Sequence, residues 1–191
     1  MWLACAISLA WPVDAASHSR SDAASRRFSN LSVDNGLSQM SVMEIFQDSD
    51  GYMWFGTRNG LNKYDGASMK VYKPSRGPRK SNLLDNQITA LAEDNDGNLW
   101  VGTAKGISKL NMATDKIISY GLPEFPWMAT GVRDIFIDSR GRLWIGTATG
   151  LYLFEPETEM AQPIHLGGEL RDRRSQWCVR TKRDIFLWAL N

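Results

Sequence analysis

The chain has 191 residues, with 22 Lys or Arg and 21 Asp or Glu, so its formal net charge is +1. This length suits one domain with a hydrophobic core, and the balanced charge argues against nucleic acid or an anionic membrane surface as the partner. The two cysteines, Cys5 and Cys178, are too few for a disulfide framework. Eight tryptophans are a high count, and their positions are the most informative feature of the sequence.

Residues 1–16 have the pattern of an export signal. An apolar stretch covers residues 2–11, and small residues suited to cleavage follow it. Such a stretch fits a signal peptide but is too short to span a bilayer as a helix. Residues 17–27 are small, polar and basic, which predicts a flexible linker. We therefore expect an exported, periplasmic protein whose folded part begins near residue 28.

A 14-residue pattern then occurs three times at near-constant spacing. Its consensus is D-x-x-G-x-(L/M)-W-(F/V/I)-G-T-x-x-G-(L/I), and internal repeats of this period are typical of propellers and solenoids. The positions to which the pattern assigns a structural role are Asp48, Gly51, Trp54, Gly56, Thr57 and Gly60 in the first copy, Asp94, Gly97, Trp100, Gly102, Thr103 and Gly106 in the second, and Asp138, Gly141, Trp144, Gly146, Thr147 and Gly150 in the third.

Each copy predicts four short antiparallel strands. An alternating apolar run, which begins at Val42, Ile88 or Val132, precedes each Asp and predicts a strand with one buried face. Asp-x-x-Gly then forms a turn, because the Asp side chain can accept backbone hydrogen bonds and Gly tolerates a left-handed conformation. The Trp segment forms the second strand, Thr-x-x-Gly a second turn, and the apolar residues that follow form the third and fourth strands.

Four strands in roughly 45 residues correspond to one propeller blade. The predicted fold class is therefore all-β, a partial β-propeller of about three four-stranded antiparallel blades over residues 28–165. Because one blade alone leaves both faces of its sheet exposed, we expect Trp54, Trp100 and Trp144 to be buried between stacked blades. Ligand stacking is the minor interpretation of these rings.

Three other protein classes have similar patterns and fit less well. Asp48-x-Asp50-Gly51 resembles the start of a calcium-binding EF-hand loop, but the other ligands of such a loop are absent. The Asp-box of sialidases has a shorter turn, and no carboxylate pair for glycoside hydrolysis stands out. Quinone-dependent propeller enzymes also carry Trp and Gly, but the sequence offers no nucleophile, metal ligand set or phosphate loop. We expect no catalytic residues, metal or cofactor.

The repeated pattern resembles the two-component regulator propeller repeat. Residues 28–39 are similar to the lead-in of that family and Asn62–Gly66 to the end of its first repeat, so the resemblance covers about residues 28–155. It implies the extracytoplasmic sensory region of a membrane-anchored, dimeric bacterial receptor whose output domain is a histidine kinase or a diguanylate cyclase. It also implies an extracellular ligand, which is a glycan in some members.

Residues 166–191 depart from the pattern. They are strongly basic, although Arg183–Phe186 echoes Arg133–Phe136 and predicts the start of a fourth blade within a loosely packed tail. Closed propellers need about four to eight blades, so three repeats predict a fragment of a receptor, without its kinase or cyclase domain. We expect this fragment to be poorly soluble or to form oligomers through its open ends. A secreted propeller lyase or hydrolase and a protein-interaction scaffold are the alternatives.

Overall fold

The computed structural model describes residues 30–164 except 76–77, 79–80 and 122–123, and it adds the backbone of two strands nearer the carboxyl terminus. The predicted export signal and linker lie outside the described residues, as does most of the basic tail. The described residues from Leu31 onward belong to one compact unit. Within the described ranges, no helix is both apolar and long enough to cross a membrane.

The strands described up to Ile164 form three four-stranded antiparallel sheets, which we call blades 1, 2 and 3. In every sheet the strands lie in chain order. Blade 1 contains β1 Val42–Gln47, β2 Met53–Thr57, β3 Gly60–Tyr64 and β4 Met69–Tyr72. Blade 2 contains β5 Ile88–Glu93, β6 Asn98–Thr103, β7 Gly106–Asn111 and β8 Lys116–Gly121. Blade 3 contains β9 Val132–Ile137, β10 Leu143–Thr147, β11 Gly150–Glu155 and β12 Met160–Ile164.

The predicted fold class is confirmed, since each repeat forms one four-stranded antiparallel sheet with hairpin turns at the three Asp-x-x-Gly sequences. Two 3₁₀ turns, Val33–Asn35 and Pro126–Met128, lie in the segments that lead into blades 1 and 3. A further antiparallel pair consists of β13 Gln176–Arg180 and β14 Phe186–Leu190. The segment Arg183–Phe186, which the sequence predicts as the start of a fourth blade, overlaps β14 at Phe186.

A β-bulge recurs at the same place in all three blades. The first strand has one extra residue opposite the Gly-Thr step of the second strand, as shown by the partners Val42 with Thr57 and Glu44 with Gly56. The same shift occurs between Ile88 and Ala90 in blade 2 and opposite Thr147 in blade 3. Bulges bend a strand and increase its twist, so this feature gives the three first strands the same shape.

Two apolar clusters lie between neighbouring blades and form the core. The cluster between blades 1 and 2 contains Trp54, Leu61, Leu83, Ile88, Leu91, Leu99, Val101 and Leu110. The cluster between blades 2 and 3 includes Trp100, Tyr120, Phe125, Met128, Val132, Ile135, Leu143, Ile145 and Phe154. Trp54 and Trp100 are 0% and 2% exposed, as expected for rings between stacked blades. Trp144, on blade 3, is partly exposed.

In blades 1 and 2 the glycine of the Gly-Thr step allows close approach of the next blade. A Cβ atom on Gly56 would lie 2.7 Å from Cγ2 of Ile88, the first residue of blade 2. A Cβ atom on Gly102 would lie 2.9 Å from Cγ1 of Val132, the first residue of blade 3. These two glycines therefore provide recesses in which a β-branched residue of the following blade is seated.

Candidate functional site

The Asp-x-x-Gly turns have the same geometry in the three blades. In each turn the Gly amide donates to the Asp carbonyl, with N–O distances of 3.0, 3.2 and 2.9 Å in chain order. The φ angles of Gly51, Gly97 and Gly141 are 90°, 73° and 76°, so each adopts the left-handed conformation that the sequence predicted. The Asp carboxylate also accepts from the backbone amide four residues later, at 2.8 Å from Tyr52, 2.9 Å from Asn98 and 3.0 Å from Arg142.

A second hydrogen bond connects each turn with the Trp that follows it. The indole Nε1 donates to Oδ2 of the turn Asp at 2.7 Å in Trp54–Asp48, 2.9 Å in Trp100–Asp94 and 3.0 Å in Trp144–Asp138. A buried indole needs such an acceptor, so one carboxylate both closes the turn and orients the ring. This bond was not predicted from the sequence, although the constant separation of six residues between Asp and Trp could have indicated it.

A cationic side chain lies over each Trp ring. The Lys63 and Lys109 Nζ atoms are 5.2 and 5.5 Å from the ring centroids of Trp54 and Trp100. In blade 3 the cation comes from a different position, because the guanidinium carbon of Arg142 is 5.1 Å from the Trp144 centroid. These distances are in the range of cation–π contacts, which therefore accompany the Asp–Trp bond in every repeat.

The Thr-x-x-Gly turns are closed by the Thr hydroxyl. Oγ1 of Thr57, Thr103 and Thr147 donates to the carbonyl of the Gly three residues later, at 2.9, 2.9 and 3.1 Å. The same oxygen accepts from the backbone amide two residues later, at 3.0 to 3.2 Å. The Thr hydroxyl is thus satisfied as donor and acceptor, as a buried polar group requires.

Blades 1 and 2 are joined by polar contacts at their edges. Asp115, in the turn between β7 and β8, accepts from Lys70 Nζ and from the Tyr72 hydroxyl, both at 2.6 Å. These two hydrogen bonds lower the pKa of the Asp115 carboxyl, while burial and the adjacent carboxylate raise the pKa of Tyr72. The Ser49 hydroxyl donates to Glu93 Oε1 at 2.5 Å. Both contacts connect residues more than 40 positions apart.

The Asp138 carboxyl is held in its charged form. Burial raises the pKa of Asp138. Hydrogen bonds from the Trp144 indole, from the amide and side chain of Arg142 and from the Arg140 amide lower it more strongly. The resulting pKa is about 2 instead of 3.8. The Arg142 Nε–Asp138 Oδ2 distance is 2.6 Å. Because the folded state holds the carboxylate more strongly than the unfolded chain does, ionised Asp138 stabilises the fold.

We expect this stabilisation to be present above pH 3.8 and to disappear as the pH falls through about 2. After allowance for solvent screening it amounts to about 1–2 kcal/mol. Urea unfolding between pH 2 and 6 should show a steeper loss of stability below pH 4 in the wild type than in Asp138→Asn. Asp96→Asn, which changes an exposed carboxylate in the second turn, is the control and should keep the wild-type slope. Equal slopes for wild type and Asp138→Asn would contradict the prediction.

Two clefts on the surface of the stacked blades are lined by described residues. The larger, of 860 Å³, lies between blades 2 and 3 and is lined by Lys109, Arg142, Glu155, Glu157 and Met160 among others. The smaller, of 670 Å³, follows the ends of the first strands and is lined by residues of all three blades, including Phe46, Glu93 and Phe136. Over the described part of the chain, no three His, Cys, Asp or Glu side chains are grouped so as to hold a metal ion.

The structure places the predicted repeat residues at equivalent positions in three blades. Asp and the first Gly form the turn between first and second strands, Trp and Gly-Thr lie in the second strand, and the last Gly begins the third strand. A family model described as two component regulator propeller matches three segments with this geometry, 36–59, 82–105 and 127–149. The repeats belong to this family. The family prediction made from the sequence is therefore confirmed.

A curated relative agrees with this assignment. A histidine kinase from Formosa agariphila is 50% identical over 46 residues, which are 24% of this chain. Those residues span only 3% of that kinase. The match therefore covers a short segment and says nothing of the remainder of the kinase.

Solved structures share the blade arrangement. Two crystal structures of the extracellular domain of a Bacteroides thetaiotaomicron system match this chain with TM-scores of 0.61, at 23% and 22% sequence identity. The system is described as a one component system in the first and as a hybrid two component system in the second. The matches cover 75% and 81% of this chain but 19% and 21% of that domain. A virginiamycin B lyase from Staphylococcus aureus, crystallised as an inactive variant with quinupristin, matches with a TM-score of 0.52 and 19% sequence identity. The match covers 67% of this chain and 42% of the lyase. At these identities the likeness concerns the fold alone.

Proposed function

We propose that this chain forms part of the extracytoplasmic, ligand-sensing propeller of a two-component signalling receptor. The observation that carries the proposal is that three two component regulator propeller repeats stack as consecutive blades within one compact unit. The similar Bacteroides domain is extracellular, and the Formosa relative is a histidine kinase, which supports a receptor whose output is phosphotransfer. In this proposal the chain binds a ligand and has no catalytic activity of its own.

The cleft between blades 2 and 3 is the proposed ligand site. It offers donors from Lys109 and Arg142, acceptors from Glu155 and Glu157, and an apolar surface that includes Met160. Lys109 Nζ lies 4.0 Å from Asp94 Oδ2, too far for a strong hydrogen bond, so its ammonium group can also donate to a ligand. Donors and acceptors beside apolar surface suit a polyhydroxylated ligand, and we propose a glycan as the ligand class.

Titration of the purified chain with neutral and acidic oligosaccharides, followed by Trp fluorescence and calorimetry, tests this function. We expect saturable binding of at least one class, and at least a tenfold loss of affinity in Lys109→Met, since a charge-assisted hydrogen bond is worth roughly 1.5–3 kcal/mol. Lys116→Met, at an exposed position outside the cleft lining, is the matched control and should bind like the wild type. Absence of binding to any oligosaccharide would contradict the proposed ligand class.

A search for reaction products in the same mixtures separates sensing from catalysis. We expect the oligosaccharides to be recovered unchanged, whether or not they bind. Cleavage or elimination that one point mutation abolishes would contradict the proposal and favour the alternative of a secreted propeller lyase or hydrolase.

A further inference from the structure

The interface between blades 1 and 2 contains an ammonium group that the following blade binds. Lys70 and Tyr72, on β4, extend towards the turn between β7 and β8. There the Asp115 carboxylate accepts from the Lys70 Nζ atom and from the Tyr72 hydroxyl, both at 2.6 Å. Charge-assisted hydrogen bonds of this kind are stronger than neutral ones. The first interface thus shows what the turn of a following blade can bind.

The interface between blades 2 and 3 keeps the turn and the tyrosine of this arrangement. Glu159 has the position of Asp115, immediately before the fourth strand, and their φ angles are 54° and 56°. Tyr120 has the position of Tyr72, because each pairs with the second residue of the third strand. Burial raises the pKa of Tyr120, and the charges of Glu159 and Glu157 raise it further. The carboxylates of the β11–β12 turn therefore act on the second interface.

The lysine of the first interface has no counterpart in the second. Lys70 is the cross-strand partner of Lys63, and Ile118 is the cross-strand partner of Lys109. Because Lys63 and Lys109 have the same position over the Trp of their blades, Ile118 has the position of Lys70. Ile118 is 50% exposed. Strand β8 thus presents an apolar side chain at the place where β4 presents an ammonium group.

The cleft at the second interface is more negative than positive. Among the described residues its lining has four carboxylates and two cations, namely Asp94, Asp96, Glu155, Glu157, Lys109 and Arg142. Arg142 is bound to Asp138 at 2.6 Å, and Lys109 lies 4.0 Å from Asp94. The charge that this cleft lacks is therefore positive.

Smaller side chains also make room at this interface. Met112 and Ile117 of blade 2 pack against the cluster between blades 1 and 2. Pro156 and Ala161 have the same positions in blade 3 and line the cleft of 860 Å³. Since Ala is much smaller than Ile, the second interface is less filled than the first. Both of its walls are consecutive blades of this chain.

We propose that the cleft between blades 2 and 3 prefers a glycan with a free amino group, whose ammonium takes the place that Lys70 has at the first interface. This inference rests on the proposed function and specifies its ligand. Glu159 has an interaction of its own within the fold, so we assign the ammonium to Glu155 and Glu157. The sugar hydroxyls can accept hydrogen bonds from Lys109 on the opposite wall.

A matched pair of sugars tests the preference. The probes are β-linked N-acetylglucosamine oligosaccharides and their fully deacetylated forms of the same length, which differ only in the charged amine. Calorimetry with the purified chain, below the pKa of the sugar amine, gives both affinities. We expect the deacetylated form to bind at least fivefold more tightly, and the ratio to fall as salt is added, because salt screens the charges.

Two variants identify the groups that cause the preference. Glu157→Gln removes one carboxylate, and Ile118→Lys supplies a built-in ammonium that competes with the ligand. Each should reduce the affinity ratio of the two sugars to less than half of its wild-type value. Glu124→Gln is the matched control, since Glu124 is an exposed carboxylate outside the cleft lining, and it should keep the wild-type ratio. Circular dichroism establishes that each variant is folded.

The outcomes distinguish this inference from the function on which it rests. Equal affinities for the two sugars would overturn the preference and leave the proposed glycan sensor standing. Binding of neither sugar, nor of any other oligosaccharide, would overturn both. A wild-type ratio in Glu157→Gln or in Ile118→Lys, or an equal loss in Glu124→Gln, would show that the amine does not bind at this turn and would also overturn the inference.

Discussion

Replacing Trp54 by Ala should lower the free energy of unfolding by about 3–5 kcal/mol, the range for truncation of a large buried aromatic residue. The ring is fully buried in the cluster between blades 1 and 2. Its removal leaves a cavity at that interface and leaves Asp48 Oδ2 without the indole N–H that it binds at 2.7 Å. Urea unfolding followed by circular dichroism measures the loss.

Trp144→Ala is the matched control for this experiment. Trp144 has the same position in its blade and the same bond to an Asp, but its ring is partly exposed. We therefore expect a cost of about half that of Trp54→Ala or less, since the transfer and cavity terms both depend on burial. Equal costs for the two variants would mean that packing between blades is not the main role of the ring.

Gly56→Ala should lower the free energy of unfolding by about 1–3 kcal/mol, the range for overpacking a core. The new methyl group would lie 2.7 Å from Cγ2 and 3.1 Å from Cβ of Ile88. Ile88 is fully buried in the first strand of blade 2 and cannot move aside without displacing that strand. The substitution thus separates the two blades, and thermal unfolding at neutral pH measures its cost.

The control for Gly56→Ala is Gly146→Ala, the same change at the equivalent position of blade 3. There the methyl group would lie 3.6 Å from Cβ of Asp134, an ordinary contact. Neither glycine has a positive φ, so backbone strain does not distinguish them. Gly146→Ala should be neutral or stabilise by up to about 1 kcal/mol, because Ala reduces the entropy of the unfolded chain. A loss of stability as large as that of Gly56→Ala would contradict the interpretation of Gly56 as a recess for Ile88.

Much of the fold could be predicted because its signals are local. Asp48 and Gly51 belong to one turn, and the alternating apolar residues from Val42 define the buried face of one strand, so short-range chemistry determines both. Repetition at constant spacing then implied stacking. Burial of Trp54 and Trp100 followed from that argument, and the partial exposure of Trp144 follows from its place on the last of the three blades.

The remaining contacts depend on how blades are placed in space. Lys70 and Asp115 are 45 residues apart and meet because one blade edge faces the turn of the next, which no spacing in the sequence specifies. The bulge after Val42 shifts the strand register and cannot be recognised from an alternating pattern. The cleft beside Lys109 combines side chains of two blades, so it could be found only from the structure.

The hydrogen bond between Asp and Trp has a consequence for the order of folding. Its partners are six residues apart and lie in one hairpin, so the bond can form before any blade meets another. Closing so short a loop costs little entropy, and contacts of low sequence separation favour rapid folding. A chain that folds from its amino terminus can thus complete one hairpin at a time, with each indole already oriented when the next blade arrives to cover it.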